Sequence, residues 1–193
     1  GAAGAPVVEN YSFERDRFAV WPGVARGNNG AITGWFSTGN VGINPVYPAS
    51  LAPRQTNTPF FDNGAAPDGR QVAFIQGPGR LAQRIPGFRK GCRYVVLYRE
   101  NTRVQRQGNE WPRVRVLLGE KVVVSPHEVT PVARAGDHSV PFYRVESAPF
   151  VAPEDGAFEL VFETVQGSAT TTLLLDAVEI REVPPTVSET PQR

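Results

Sequence analysis

The sequence predicts an all-β protein, an antiparallel β-sandwich, and three observations predict it. Segment 113–118 places Val114, Val116 and Leu118 on one face and Arg113 and Arg115 on the other. Segment 157–163 sets Phe158, Leu160 and Phe162 against Glu159 and Glu163 in the same way. Period-two alternation of this kind marks a strand with one buried face in an antiparallel sheet. The third observation is the density of breakers: 19 Gly and 18 Pro in 193 residues, about one in five against a usual share of about 12%. Short strands joined by turns suit that density and long helices do not.

The elements follow in order. Residues 1–6 read as a linker or a remnant of processing, because the chain opens Gly-Ala-Ala-Gly-Ala-Pro and contains no methionine. Residues 7–183 read as one domain. Within it, 21–67 is rich in Gly, Asn and Pro and reads as loops packed on one end of the sandwich, with a short strand at 32–36. Further strands are expected at 72–76, 81–85, 94–98, 113–118, 122–124, 157–163 and 171–180, with Gly119-Glu120 as a tight turn. Residues 184–193 form a tail rich in Pro, Ser and Thr that holds neither a helix nor a central strand. At least eight short strands without a strong helix make the jelly roll the expected form of sandwich.

Composition narrows the function. Hydrophobic residues make up 40% and aromatics 10%, enough for a packed core. Lys and Arg number 20 against 19 Asp and Glu, so no global charge draws the chain to nucleic acid. No apolar run is long enough for a membrane-spanning helix. Cys92 is the sole cysteine, which rules out an intrachain disulfide, and it reads as a small packing residue.

Catalytic and nucleotide motifs are missing. Gly77-Pro78-Gly79-Arg80-Leu81-Ala82 fits G-x-G-x-x-A, with Glu100 about 20 residues on, but the motif must open a helix and here Pro86-Gly87 closes the segment at once. It reads as a β-turn. There is no H-E-x-x-H, G-x-S-x-G, P-loop or Cys/His zinc spacing. His127 and His138 sit in polar stretches near prolines and read as surface residues. Asn10-Tyr11-Ser12 fits the glycosylation sequon, a common chance match.

Asp176 is the most informative polar residue. Along Leu174, Asp176, Val178 and Ile180 it takes the register of three aliphatic side chains. A carboxylate there is costly unless it is neutralised or hydrogen-bonded, so either backbone amides or a hard cation such as calcium is expected to satisfy it.

Trp35 is expected in the core, while Trp21 and Trp111 lie in loops. An exposed Trp offers an apolar face to a sugar ring while neighbouring Arg and Asn bond its hydroxyls; the alternative is that the ring folds back onto the core. The loop from Glu100 to Pro112 gathers Asn101, Arg103, Arg106, Asn109 and Trp111 between two well-patterned strands. Tyr98, Asn101, Arg103 and Trp111 are the carbohydrate-contacting candidates on this chemistry; a solvated hairpin loop is the alternative.

The order of several short motifs resembles a known family. Val8-Glu9-Asn10-Tyr11-Ser12-Phe13-Glu14 resembles the N-x-S-F-E opening of bacterial carbohydrate-binding modules with the galactose-binding-domain-like jelly roll, and Ile32-Thr33-Gly34-Trp35 resembles the I-x-G-W that follows. Asp68-Gly69 with Val72-Ala73-Phe74, then Leu81-Ala82-Gln83-Arg84-Ile85, resembles the next strand pair, and Gly91-Cys92-Arg93-Tyr94-Val95-Val96 the strand after it. Leu174-Leu175-Asp176-Ala177-Val178-Glu179-Ile180 resembles the closing L-D-D-V-x-I, with Ala177 where a second Asp is usual.

The resemblance spans nearly all of 8–182 and implies a protein that binds poly- or oligosaccharides without catalysis. It also implies a structural calcium between the first and last strands, with Glu14 as the partner of Asp176. The corresponding expectation is a secreted or cell-surface module, its signal peptide removed, with neighbouring domains of a larger chain as further partners. The alternatives are a structural or adhesion domain without a sugar site, and a jelly-roll polysaccharide-degrading enzyme with converging carboxylates or an Arg/His/Tyr cluster in one cleft. Fold does not decide among them.

Overall fold

A computed structural model describes residues 5–16, 24–26, 32–46, 60, 63–104, 108–132, 142–166 and 171–185. Among these the chain forms β1 (Val24–Arg26), β2 (Phe36–Pro45), β3 (Gln71–Phe88), β4 (Arg93–Thr102), β5 (Arg113–Leu118), β6 (Lys121–Glu128), β7 (Tyr143–Glu146), β8 (Phe150–Val151), β9 (Gly156–Gln166) and β10 (Thr172–Val183). Every pairing is antiparallel. The main order is β6-β5-β9-β3-β10-β4-β7, with β2 also on β3, β1 on β2 and β8 on β4.

The sheet curls over on itself into two layers, giving a jelly-roll β-sandwich. Tyr98 on β4 and Phe162 on β9 are not on neighbouring strands, yet their rings meet edge to face at 5.0 Å across the interior. The fold turns at Gly77-Pro78-Gly79, inside a single strand. The first half of β3 pairs with β10, at Ala73–Gln76, and its second half with β9, at Gly79–Ile85. Strand β2 spans the bend and opposes Gly39 to Gly79 but Asn40 to Gln76. The segment expected as a turn between two strands is therefore the corner of one strand shared by both layers. Gly39 has φ +88, and a Cβ there would lie 2.6 Å from the Pro78 carbonyl oxygen. Thr164 closes the corner: its Oγ1 donates to the Gly77 carbonyl at 2.7 Å and accepts from the Gly79 N–H at 2.8 Å.

The alternation read from the sequence gives β5 and β9 their inward faces. Val114, Val116, Leu118, Leu160 and Phe162 fill the interior with Val96 and Tyr98 of β4. Gly119 and Glu120, both at positive φ, make the two-residue hairpin from β5 to β6. Trp35 is buried as expected; its ring lies 5.3 Å from Phe13 and 6.3 Å from Phe162, and its Nε1–H donates to the Asn10 carbonyl at 3.1 Å. A second cluster, including Phe60, Val72, Phe74, Phe142 and Leu174, lies apart from this interior.

The stretch 21–67 is less loop-like than expected. It holds the short β1 and, in place of a strand at 32–36, the long β2 (Phe36–Pro45), with Val41 and Ile43 facing the interior. Gly39, Asn40, Gly42, Asn44 and Pro45 between them hide the alternation in the sequence. The short strands β7 and β8 carry no alternation that marks them in the sequence. Among the described residues no helix is long and apolar enough to cross a membrane.

Candidate functional site

The sugar-contact candidates do not form one surface. Tyr98 is 2% exposed; its ring is in the interior and its hydroxyl donates to Glu100 Oε2 at 3.0 Å. Asn101 is fully buried; its Nδ2 donates to the Val132 carbonyl at 3.0 Å, and its Oδ1 accepts from Thr102 and Val132 N–H. Neither offers a face to a ligand. The physical reason is that β4 continues to Thr102, so the inward and outward register of Tyr94–Tyr98 runs on through residues expected to start a loop. Arg103 and Trp111 are half-buried. Burial lowers the pKa of the Arg103 guanidinium, and among the described residues its Nε has no hydrogen-bond partner. Trp21, Arg106 and His138 lie outside the described residues.

His127 is on β6, not in a surface loop, and reaches the other layer. Its Nε2 donates to Glu100 Oε1 at 2.5 Å and its Nδ1 to the Ser125 carbonyl at 3.1 Å. Both nitrogens facing acceptors describes an imidazolium. Accordingly the His127 pKa is raised, chiefly by the hydrogen bond to Glu100. Burial pushes the Tyr98 hydroxyl far up as well, with the Glu100 charge adding to it. Tyr98, Glu100 and His127 thus form a chain from the core to a cleft lined by Val129, Thr130, Tyr143 and Arg144. Period-two reading puts Glu100 on the Tyr98 face, but nothing in the sequence pairs β4 with a histidine on β6.

Asp176 lies elsewhere than expected. Leu174 packs in the second cluster whereas Val178 and Ile180 pack in the interior, because β10 bulges between Asp176 and Glu179. Asp176 therefore does not share one face with Val178 and Ile180. It is fully buried; Oδ2 accepts the Asp68 N–H at 2.9 Å, and among the described residues Oδ1 has no hydrogen-bond partner. Burial raises its pKa to about 8, and the nearby charges of Asp68 and Glu14 push the same way. Glu14 is held by the N–H groups of Arg70 and Gln71, 2.7 and 3.0 Å from its Oε1. Phe13 and Ala177, next to these carboxylates in sequence, sit at φ 62 and 51, strained for non-glycine residues. Among the described residues no three His, Cys, Asp or Glu side chains form a metal-binding cluster. The orphaned Oδ1 and the acidic neighbours nevertheless suit an oxygen-seeking cation with backbone carbonyls as further ligands.

The outer face of the β2-β3-β9-β5-β6 layer carries a row that the sequence does not reveal. Phe36 opposes Ala82, Ala82 opposes Val161, Val161 opposes Leu117, and Leu117 opposes Val122. Phe36 is 64% and Val122 41% exposed, at the two ends. Thr38, Arg80, Glu163 and Arg115 form a polar row on one side, with Arg84 and Glu159 on the other. Arg115 Nε donates to Glu163 Oε2 at 2.9 Å. An Arg80–Glu159 ion pair joins the two polar rows over Ala82 and Val161, consistent with the burial of these two outward residues. Five strands about 4.8 Å apart make a row about 19 Å long.

No family profile and no curated protein matches the chain. Solved structures do. A Stig cyclase, Fisc from Fischerella sp. TAU in complex with (3Z)-3-(1-methyl-2-pyrrolidinylidene)-3H-indole, is 18% identical with a TM-score of 0.66, covering 96% of this chain and 100% of its own. TmCBM61 in complex with β-1,4-galactotriose is 13% identical with a TM-score of 0.57, covering 92% and 99%. The CBM22-1 xylan-binding domain of Xyn10C from Paenibacillus barcinonensis is 14% identical with a TM-score of 0.52, covering 96% and 100%. The class defined is the jelly-roll β-sandwich, a fold this chain shares with carbohydrate-binding modules and with cyclases.

Proposed function

We propose that the chain is a non-catalytic carbohydrate-binding module acting outside the cell, and that the Phe36–Val122 row is its platform. The exposed Phe36 ring at the end of an apolar row flanked by Arg and Glu carries this reading. A glycan strand laid along the row stacks its C–H faces on Phe36 and Leu117, while Arg84, Arg115 and Glu163 bond its hydroxyls. The Arg80–Glu159 pair opens at little cost, since surface ion pairs contribute about 0–1 kcal/mol. Arg103 and Trp111, kept from the sequence reading, are secondary candidates.

Glycan-array screening followed by calorimetry tests this. Phe36→Ala is expected to weaken binding at least tenfold with Tm unchanged within about 2 °C, as for a surface substitution. Unchanged affinity overturns the platform. Trp111→Ala is measured alongside; a large loss of stability makes it a packing residue and removes it from consideration.

The same reading includes a structural calcium at Asp176 and Glu14, supported by the orphaned Asp176 Oδ1. The cation would hold the first segment to the last strand by charge, without taking part in chemistry.

The His127–Glu100–Tyr98 chain favours a second reading, an enzyme, and the cyclase likeness fits it. There the His127 Nδ1–H leaves the Ser125 carbonyl and donates its proton to a bound substrate at the cleft, while Glu100 holds Nε2 and keeps the ring in place. Turnover of a small-molecule or glycan panel that is lost in His127→Gln would establish this reading over the first.

A further inference from the structure

The outer face of the other layer carries a different site. Arg99 on β4 stands directly opposite Arg144 on β7 and, on its other side, opposite the buried Asp176 of β10, which is turned to the Asp68 N–H and does not line the cleft. Directly opposed residues of an antiparallel pair share a face with their Cβ atoms about 5 Å apart, where like charges destabilise the sheet. Among the described residues neither guanidinium has an ion pair or hydrogen-bond partner. Burial, then the charge of Arg144, lowers the pKa of Arg99. One register step along, Leu97 opposes Glu146 on β7 and Glu179 on β10. These residues and Arg181 line a cleft of about 410 Å³, within the usual range of ligand pockets of about 300–1,000 Å³.

We infer that this cleft binds a sugar acid, a uronate residue of a glycan, whose carboxylate is shared by Arg99 and Arg144. The charge balance selects a monoanion. Arg181 lies 3.3 Å from Glu179 and pairs with it, leaving two arginines against Glu146. Glu146 leaves the two guanidiniums a net charge of one, which a phosphate dianion exceeds, and the successive phosphates of a nucleic-acid backbone would set further negative charge against Glu146. The spacing selects a sugar. Two residues along a strand cover about 6.7 Å, comparable to the distance from a pyranose carboxylate to the hydroxyls across its ring. With the carboxylate on the planar Arg forks, those hydroxyls face Glu146 and Glu179, which accept from them, and the ring lies over Leu97. The choice of a sugar as bearer of the carboxylate rests on the glycan-binding reading; the opposed arginines do not.

Calorimetry with trigalacturonic acid, its methyl ester and sodium sulfate on the full chain tests the inference. Trigalacturonate is expected to bind, its ester to bind at least tenfold more weakly, and Arg144→Gln to lose the difference while keeping any affinity for neutral glycans. Without ligand, Arg144→Gln is expected to raise Tm by up to about 3 °C, because it relieves the like-charge pair. Equal binding of acid and ester, or trigalacturonate binding unaffected by Arg144→Gln, overturns the site. Sulfate binding as tightly as trigalacturonate means a bare anion site and overturns the sugar assignment. Loss of neutral-glycan binding in Phe36→Ala, or its persistence, tests the other face alone.

Discussion

His127 Nε2 and Glu100 Oε1, 2.5 Å apart, join the two layers of the sandwich by a charged contact at the cleft mouth. Glu100 is 4% exposed, so its carboxylate oxygens are bonded by this cation and by the Tyr98 hydroxyl. A histidine whose folded pKa is raised contributes stability fully below its unfolded value of about 6.5 and loses it as pH rises through the folded value. Wild type is therefore expected to exceed His127→Gln in stability by about 1–3 kcal/mol at pH 5.5, the gap narrowing above neutrality. Thermal melts of both proteins across pH check this; a gap independent of pH would mean a neutral imidazole.

Asp176 gives the complementary slope. Its folded pKa of about 8 lies above the ordinary 3.8, so the folded protein holds a proton that the unfolded chain releases. Without a cation, stability is expected to fall as pH rises from about 4 to about 8 and to level off beyond. Asp176→Asn should flatten that slope. Calcium should raise Tm at pH 8 in wild type and not in the variant, because a ligand bound only to the folded state stabilises it by mass action. A melting curve indifferent to calcium and chelator would leave Asp176 a protonated structural acid.

Gly69 holds Glu14 in place by lacking a side chain. At φ +71 a Cβ would lie 2.2 Å from Glu14 Oε1. Gly69→Ala is expected to cost about 1–2 kcal/mol in backbone strain and to push Glu14 off the Arg70 and Gln71 amides. Denaturant melts measure the first effect, and weakening of any calcium response the second.

Thr164→Val tests the corner of β3. It keeps shape but removes the hydroxyl that serves Gly77 and Gly79, leaving buried backbone groups unsatisfied at about 1–3 kcal/mol. A change under about 0.5 kcal/mol in chemical denaturation would show that the corner holds through its glycines alone.

The fold was legible where side chains alternate. Val114 to Leu118 and Phe158 to Phe162 announce their faces, and Trp35 its burial. The layer corner was not, because Gly77-Pro78-Gly79 reads as a turn until β2 and Thr164 are seen beside it. The sites were less legible still. Tyr98 and Asn101 have sugar-binding chemistry, but exposure depends on where β4 ends. Arg99–Arg144 and the Phe36–Val122 row are made by strand pairing between distant segments, and Glu100–His127 by the meeting of the two layers; alternation within one strand carries no information about either kind of neighbour. The aliphatic register around Asp176 marks a carboxylate that is costly to bury, and the structure buries it; its facing is hidden in the sequence because Ala177, an unremarkable residue there, takes the positive φ at the bulge.

The N–H of Val178 donates to the carbonyl of Tyr11 at 3.0 Å, and Glu9 is bonded through its backbone to Gln83. The opening segment thus rests on the last strand. At a ribosomal rate of about 5–20 residues per second, residues 8–14 must wait on the order of 10–30 s until β10 emerges before they can dock. Until then Phe13 and Trp35 have an incomplete cavity to enter. A nascent chain halted before Thr172 should remain protease-sensitive along its whole length, and chains in which β10 is free to pair should gain resistance all at once.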